Sequence, residues 1–189
     1  MGRTFTSALL IAISTSCTSS TSPTPWDGQV RVSGRILEFK TDAAIAGARV
    51  SIDGVTATTD DASGSYVLSV PSGEHTIMVD GTTIAIVVRM FEPNYRGDYY
   101  VNPSGCSGRY GLVIDKVTRG PVAGATITTV ITTSTDNTGW FKLDFGCAPC
   151  LPGNTTSASV THPRYVDGSF SVGRGVCGMS RNDVELQPR

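Results

Sequence analysis

Apolar and polar residues alternate along most of this chain with a period of two. Val30, Val32, Gly34 and Ile36 alternate with polar neighbours, and so do Ala48, Val50 and Ile52, then Tyr66, Leu68 and Val70, then His75, Ile77 and Val79. Residues 84–88 form a continuous apolar run, expected to be a more fully buried strand. The second half repeats the texture at 112–114, at 125–131, at Phe141, Leu143 and Phe145, and at 158–160, 170–172 and 184–186. Short β-branched and aromatic runs bounded by Gly, Pro, Asp and Ser predict strands, and no segment sustains the i, i+3, i+4 spacing of a helix.

The alternation belongs to a larger repeat. Ile45-Ala46-Gly47-Ala48-Arg49-Val50 is echoed by Val122-Ala123-Gly124-Ala125-Thr126-Ile127. Each copy follows a Gly-led apolar stretch, at Gly34 and at Gly111, and precedes an Asp…Gly turn and an aromatic strand. Those are Asp61-Ala62-Ser63-Gly64-Ser65-Tyr66 and Asp136-Asn137-Thr138-Gly139-Trp140-Phe141. A repeat of this length is domain-sized, so it predicts tandem modules and not a solenoid. Gly64 and Gly139 are expected to take positive φ after their Asp-led turns. Gly47 and Gly124 each precede an Ala, and the small pair is expected to permit close packing at a strand start. The predicted fold is all-β, two tandem Greek-key β-sandwiches, at 28–90 and 106–189. Pro93, Gly97, Pro103 and Gly105 interrupt the pattern and mark 91–105 as a connector.

The N-terminal segment 1–17 has a single basic residue, Arg3, a short apolar run from Ala8 to Ile13, and small residues leading to Cys17. It resembles a bacterial lipoprotein signal, which implies lipidation of Cys17 and anchoring at an outer or cytoplasmic membrane, with plain secretion as the alternative. Myristoylation after Met1-Gly2 would leave the apolar run unexplained. Residues 18–27, rich in Ser, Thr and Pro, predict a flexible tether. Setting Cys17 aside leaves Cys106, Cys147, Cys150 and Cys177, an even set that in an exported chain predicts two disulfides. Long-range pairs are favoured over a small Cys147–Cys150 ring, with Cys106 free to meet either of those two.

The ordered motifs, from the Gly-led strand through the Ala-Gly-Ala turn to the Asp…Gly turn and aromatic strand, resemble the carboxypeptidase regulatory-like domain. In the first copy Val70-Pro71-Ser72-Gly73 extends the match; in the second, 147–153 replaces the expected hairpin. The resemblance implies a transthyretin-like sandwich of secreted and cell-envelope proteins, often grouped with carbohydrate-binding-like folds, and no catalytic residues. Related surface sandwiches can carry a Lys–Asn isopeptide bond, but Ile36 and Val113 occupy the positions where the Lys would stand.

Composition excludes several functions. A net charge of −1 lacks the basic footprint that nucleic-acid recognition needs, and no apolar run reaches the roughly 18 residues of a membrane-spanning helix. The two histidines, His75 and His162, lack the spacing of a zinc peptidase site. No Gly-x-Ser-x-Gly elbow or phosphate-binding Gly loop occurs. The chain is therefore expected to be non-enzymatic and without a cofactor. His75 is expected to pack within its strand, His162 to lie in a loop, and Arg96-Gly97-Asp98 to be an ordinary turn. With Phe141 and Leu143 facing the core, Trp140 points to the other face, where the first copy has Ser65. There it can stack on a glycan or be covered by the neighbouring module. Tyr95, Tyr99 and Tyr100 carry the same two readings. The expected partners are a glycan or an envelope protein.

Overall fold

The computed structural model describes residues 27–90, 92–102, 105–147, 156–173 and 178–189. Cys17, Cys150 and Cys177 lie outside them. Among the described residues the regular elements are all strands, arranged in four sheets that pair into two sandwiches.

In the first sandwich, β1 (Gln29–Glu38) is central, antiparallel to β4 (Ser65–Pro71) on one side. On the other side it runs parallel to two short strands, β7 (Asn94–Arg96) and β8 (Tyr99–Val101). The facing sheet is ordered β3 (Val55–Thr58), β2 (Arg49–Ile52), β5 (Gly73–Val79), β6 (Thr82–Met90). The second sandwich has the same plan. Its central β9 (Ser107–Asp115) lies between β12 (Trp140–Gly146) and the parallel pair β15 (Met179–Arg181) and β16 (Val184–Leu186). It faces β11 (Thr132–Ser134), β10 (Thr126–Thr128), β13 (Thr156–Thr161) and β14 (Gly168–Gly173). Between β1 and β4, and between β9 and β12, the chain crosses to the other sheet and returns, as in a Greek key. The inward positions are those the alternation marks: Val30, Val32, Tyr66, Leu68 and Val70 in one core, Val113, Phe141, Leu143 and Val160 in the other. Full burial of each such aliphatic side chain stabilises by about 1.5–3 kcal/mol.

The repeated motif is one hydrogen-bonded corner built twice. Thr59 Oγ1 donates to Ile45 O at 2.7 Å and accepts from Ala48 N at 2.9 Å. Thr135 Oγ1 does the same with Val122 O at 2.7 Å and Ala125 N at 2.8 Å. The next residue caps the turn: Asp60 Oδ1 accepts from Ala62 N and Ser63 N, and Asp136 Oδ1 from Thr138 N and Trp140 N. Counting back from the glycine pairs Asp61 with Asp136, but the hydrogen bonds pair Asp60 with it, so the first turn is one residue longer. Gly64 and Gly139 take positive φ, 66° and 73°. A Cβ on either would also stand 2.6 Å from a strand carbonyl, Ile36 O or Val113 O. Gly47 and Gly124 differ from expectation. Their φ values are 67° and 72°, yet a Cβ would meet nothing within 4 Å, so the turn requires their conformation and not their size.

The stretch 91–105, expected to connect the modules, instead supplies β7 and β8 to the first sheet. It is the counterpart of β15 and β16, and together they form the last part of the repeat: Arg96-Gly97-Asp98 corresponds to Arg181-Asn182-Asp183. At each break between the paired short strands, the Asp carboxylate accepts from the central strand, at Arg35 N (2.8 Å) and at Leu112 N (3.0 Å). Gly34 and Gly111 make room for the break, since a Cβ there would overlap the backbone of Gly97 or Asn182. A disulfide joins Cys106 to Cys147, 41 residues apart, tying the start of β9 to the end of β12. A loop of that length corresponds to about 4 kcal/mol in the chain-entropy account.

Gly139→Ala should destabilise the chain at least twice as much as Gly124→Ala in urea unfolding. Both variants carry the left-handed backbone cost of about 1–2 kcal/mol, but only the first adds a clash with strand backbone. Equal losses would show that conformation alone explains both glycines.

Candidate functional site: the module junction

Successive residues of a strand face opposite ways, so β9 buries Val113 in its own core and turns Gly108, Tyr110, Leu112 and Ile114 outward. That outer face, with Trp140 and Lys142 of β12, receives the end of the first sandwich. Phe39 lies over Gly108, where a Cβ would overlap its ring. Tyr100 stands edge-on between Phe39 and Tyr110, with centroids 5.4 and 4.9 Å away. Trp140 packs beside Tyr110 at 5.7 Å and Tyr100 at 6.3 Å. Tyr110 Oη accepts a hydrogen bond from Tyr100 N at 3.3 Å. As a result Cys106 and Tyr110 belong to the first module's apolar cluster.

Arg181 sits at the centre of the junction with only 6% of its side chain exposed. Its guanidinium lies 5.1 Å from the ring centroids of both Tyr95 and Tyr99 and 5.7 Å from that of Trp140. Nη1 donates to Asp98 O at 3.1 Å, and Asp183 receives Nε at 3.1 Å and Nη2 at 3.0 Å. Burial opposes the charge, but Asp183 outweighs that penalty and holds the Arg181 pKa well above its ordinary value. Burial pushes the Tyr95 and Tyr99 hydroxyls up, and Tyr110 up to about 12, so all three stay neutral. Arg96, the counterpart of Arg181, lies 5.0 Å over Trp140, pairs with Asp98 at 2.6 Å and donates to Thr138 Oγ1 at 3.0 Å. The indole therefore meets a guanidinium from each copy of the repeat.

Two crossed ion pairs close the other side. Lys40 meets Asp144 at 2.6 Å and Lys142 meets Asp42 at 2.7 Å. Lys142 Nζ also stands 5.0 Å from the rings of Phe39 and Tyr100. For Asp144 burial favours the neutral acid, but the Lys40 hydrogen bond prevails and its pKa is lowered. Arg119 adds a third link, donating to Glu92 at 2.8 Å and to Glu185.

Between β6, the β7–β8 segment and the outer face of β9 with β15 lies a cleft of about 910 Å³. Ile84 and Ala85 line one side; Leu112, Ile114 and Met179 line the other. The expected fully buried run at 84–88 thus begins with two half-buried residues. Ile84 falls where the β5–β6 register skips, with Ala85 paired to Ile77 and Thr83 to Met78, and such a bulge re-aims the side chain.

The junction brings Trp140, Tyr95, Tyr99 and Tyr100 together, while Cys106 and Cys147 form their cross-link at its edge. His75 is buried in β5, with Nδ1 2.8 Å from Asp53 and Nε2 2.9 Å from Pro71 O. His162 lies in the loop after β13 and accepts from Arg164 N. Asp98 of the Arg-Gly-Asp sequence is buried and engaged by Arg96 and Arg35 N, so the tripeptide is a strand break and not a displayed ligand. Sequence reasoning missed Arg181, the crossed lysines and Arg109. Arg109 is buried in the second sandwich and donates to the carbonyls of Gly108, Gly178 and Val172, with burial pulling its pKa down. The recurrence of Arg-x-Asp was the signal available for Arg181. Among the described residues no group of three His, Cys, Asp or Glu is placed to hold a metal ion.

No protein-family model matches the chain, and no curated protein matches it. Among solved structures it is similar to the Bacillus anthracis TIE protein, at 16% identity and a TM-score of 0.33, over 86% of this chain and 34% of that one. It is also similar to a Streptococcal ancillary pilin, at 13% identity and a TM-score of 0.31, over 86% of this chain and 63% of the pilin. The shaft pilin SpaA from Lactobacillus rhamnosus GG matches at 11% identity and a TM-score of 0.31, over 86% of this chain and 98% of the pilin. The chain thus spans about a third of the first of these proteins and under two thirds of the second.

Arg181→Leu should cost about 1.5–3 kcal/mol in chemical denaturation, because it removes the charge-assisted hydrogen bonds that the guanidinium makes to Asp183 and to Asp98 O. Arg181→Lys should fall between that variant and the native chain, since it keeps the charge but loses the fork. A loss under 1 kcal/mol for the leucine variant would show that the guanidinium does not hold the junction.

Proposed function

We propose that this chain is a non-enzymatic structural protein of the cell envelope, a docked pair of β-sandwiches that engages another envelope protein. The observation carrying this reading is the state of the aromatic cluster. Sugar stacking needs an open aromatic face, as would be offered by an outward Trp. At Trp140, Tyr95 and Tyr99 arginines lie against the rings, and at Tyr100 it is Lys142. The aromatics that would make a glycan platform hold the two modules together instead, and the two-module body becomes a single rigid spacer.

Anchoring through Cys17 belongs to this proposal. The tether of 18–27 would hold the body a short distance from the membrane, which suits docking to a neighbour in the same envelope. Two disulfides, Cys106–Cys147 and a second between Cys150 and Cys177, complete the reading for an oxidising compartment.

In the native host, Cys17→Ser should move the protein from the membrane fraction to the soluble one or leave it unprocessed. Crosslinking followed by purification of the native protein should recover one stoichiometric envelope partner, and a glycan array should stay blank. A saturable glycan signal abolished by Trp140→Ala would overturn the structural reading in favour of carbohydrate binding.

A further inference from the structure

We infer that the cleft between the modules is a binding slot for an extended, uncharged peptide segment bearing alternate aliphatic side chains. The inference rests on the reading of the chain as a protein-docking module and assigns it a surface.

Three observations on the cleft select this ligand. The first is its walls. Ile84 and Ala85 on one module face Leu112 and Ile114 on the other, and all four are only half-buried. Leu112 and Ile114 are two residues apart on the outer face of β9, the same spacing at which an extended peptide presents side chains to one side. The alternate aliphatic side chains of such a peptide would therefore lie along the Leu112–Ile114 wall, with the residues between them turned toward Ile84 and Ala85. The second is charge. Arg119 is paired with Glu92 and Glu185, and Arg181 with Asp183. A charged ligand group would compete with these pairs and lose its own hydration without a free counter-charge, so the lining favours a neutral occupant. The third is the state of the rings: Tyr99 is buried, and Arg181 lies 5.1 Å from the centroids of both Tyr95 and Tyr99. Aliphatic walls suit valine, isoleucine or leucine, whereas a sugar gains most from a flat aromatic surface.

The polar groups needed by a peptide backbone are also present. Thr83, Asn94 and Ser180 line the cleft, and β6 is the outer strand of its sheet, where one row of backbone groups faces away from the ladder. The volume of about 910 Å³ falls within the usual range for ligand clefts, and such sites concentrate at domain junctions.

The test is a titration of the full isotopically labelled chain with a blocked octapeptide of alternating threonine and valine, followed by amide NMR. Saturable shifts centred on Ile84, Ala85, Leu112 and Ile114 are expected. An octapeptide of alternating lysine and valine should bind at least about tenfold more weakly, a difference of about 1.4 kcal/mol. Leu112→Glu should abolish binding. Asn94→Trp, at an exposed position on the rim, should block entry without disturbing a core, and native thermal unfolding would confirm that it folds. Val130→Glu, on the exposed β10–β11 hairpin, should leave binding unchanged. No saturable shift at millimolar peptide, or shifts that persist in Asn94→Trp, would overturn the inference. A captured envelope partner whose binding ignores Asn94→Trp and Leu112→Glu would overturn the slot while leaving the docking function intact. Peptide binding in the slot with no partner recovered would instead tell against the docking function.

Discussion

A guanidinium taken out of water must find compensation on every side, and Arg181 finds it from both modules. Asp183 supplies the opposite charge from its own strand break, while Tyr95, Tyr99 and the carbonyl of Asp98 come from the first sandwich. Neither module alone provides the set. Separating them would expose the apolar rings and strip Arg181 of half its contacts, so the junction behaves as part of the folded core. The continuous apolar cluster running from Val30 through Phe39 and Tyr100 to Tyr110 expresses the same constraint in packing. Each sandwich is small, and a domain of that size has a marginal core. Sharing one cluster enlarges the buried volume available to both.

The two copies differ where docking requires it. Their inward faces and their corners match closely, down to the Thr hydroxyl bridging the Ala-Gly-Ala turn. Their outer faces do not. Where the second copy has Tyr110, Trp140 and Lys142, the first has Ser33, Ser65 and Val67. The second copy likewise lacks the aromatic end of the first, with Lys116 at the place of Phe39 and Glu185 at that of Tyr100. The contact is thus head to tail between unlike surfaces, and repetition of the fold does not repeat the interface.

The sequence made the strand pattern, the two-module plan and the special conformation of Gly64 and Gly139 legible, because alternation and turn chemistry are local. It also gave the outward direction of Trp140, since Phe141 and Leu143 fix the parity of β12. What lay hidden was non-local. The strands β7 and β8 are three residues each, too short for alternation to mark, and the glycine and proline around them resemble a linker. Recognition of Arg181 required comparing Arg-Gly-Asp with Arg-Asn-Asp across the repeat, where the middle residue differs and the familiar tripeptide draws attention elsewhere. The crossed Lys40–Asp144 and Lys142–Asp42 pairs join residues about a hundred positions apart, and nothing in either local sequence names its partner.

The parallel pairing of β7 and β8 with β1 has a consequence for how the chain reaches this structure. A central strand that appears first cannot be flanked on both sides until Val101 has emerged, so the first sandwich closes late, through contacts of long sequence separation. Such topologies fold slowly. Tyr100 then meets Tyr110 only ten residues further on, so closure of one sandwich and nucleation of the next are separated by a few peptide bonds. Because synthesis runs from the N-terminus, this order leaves the first module unfinished until the second is about to emerge, and makes the completion of one the template for the other.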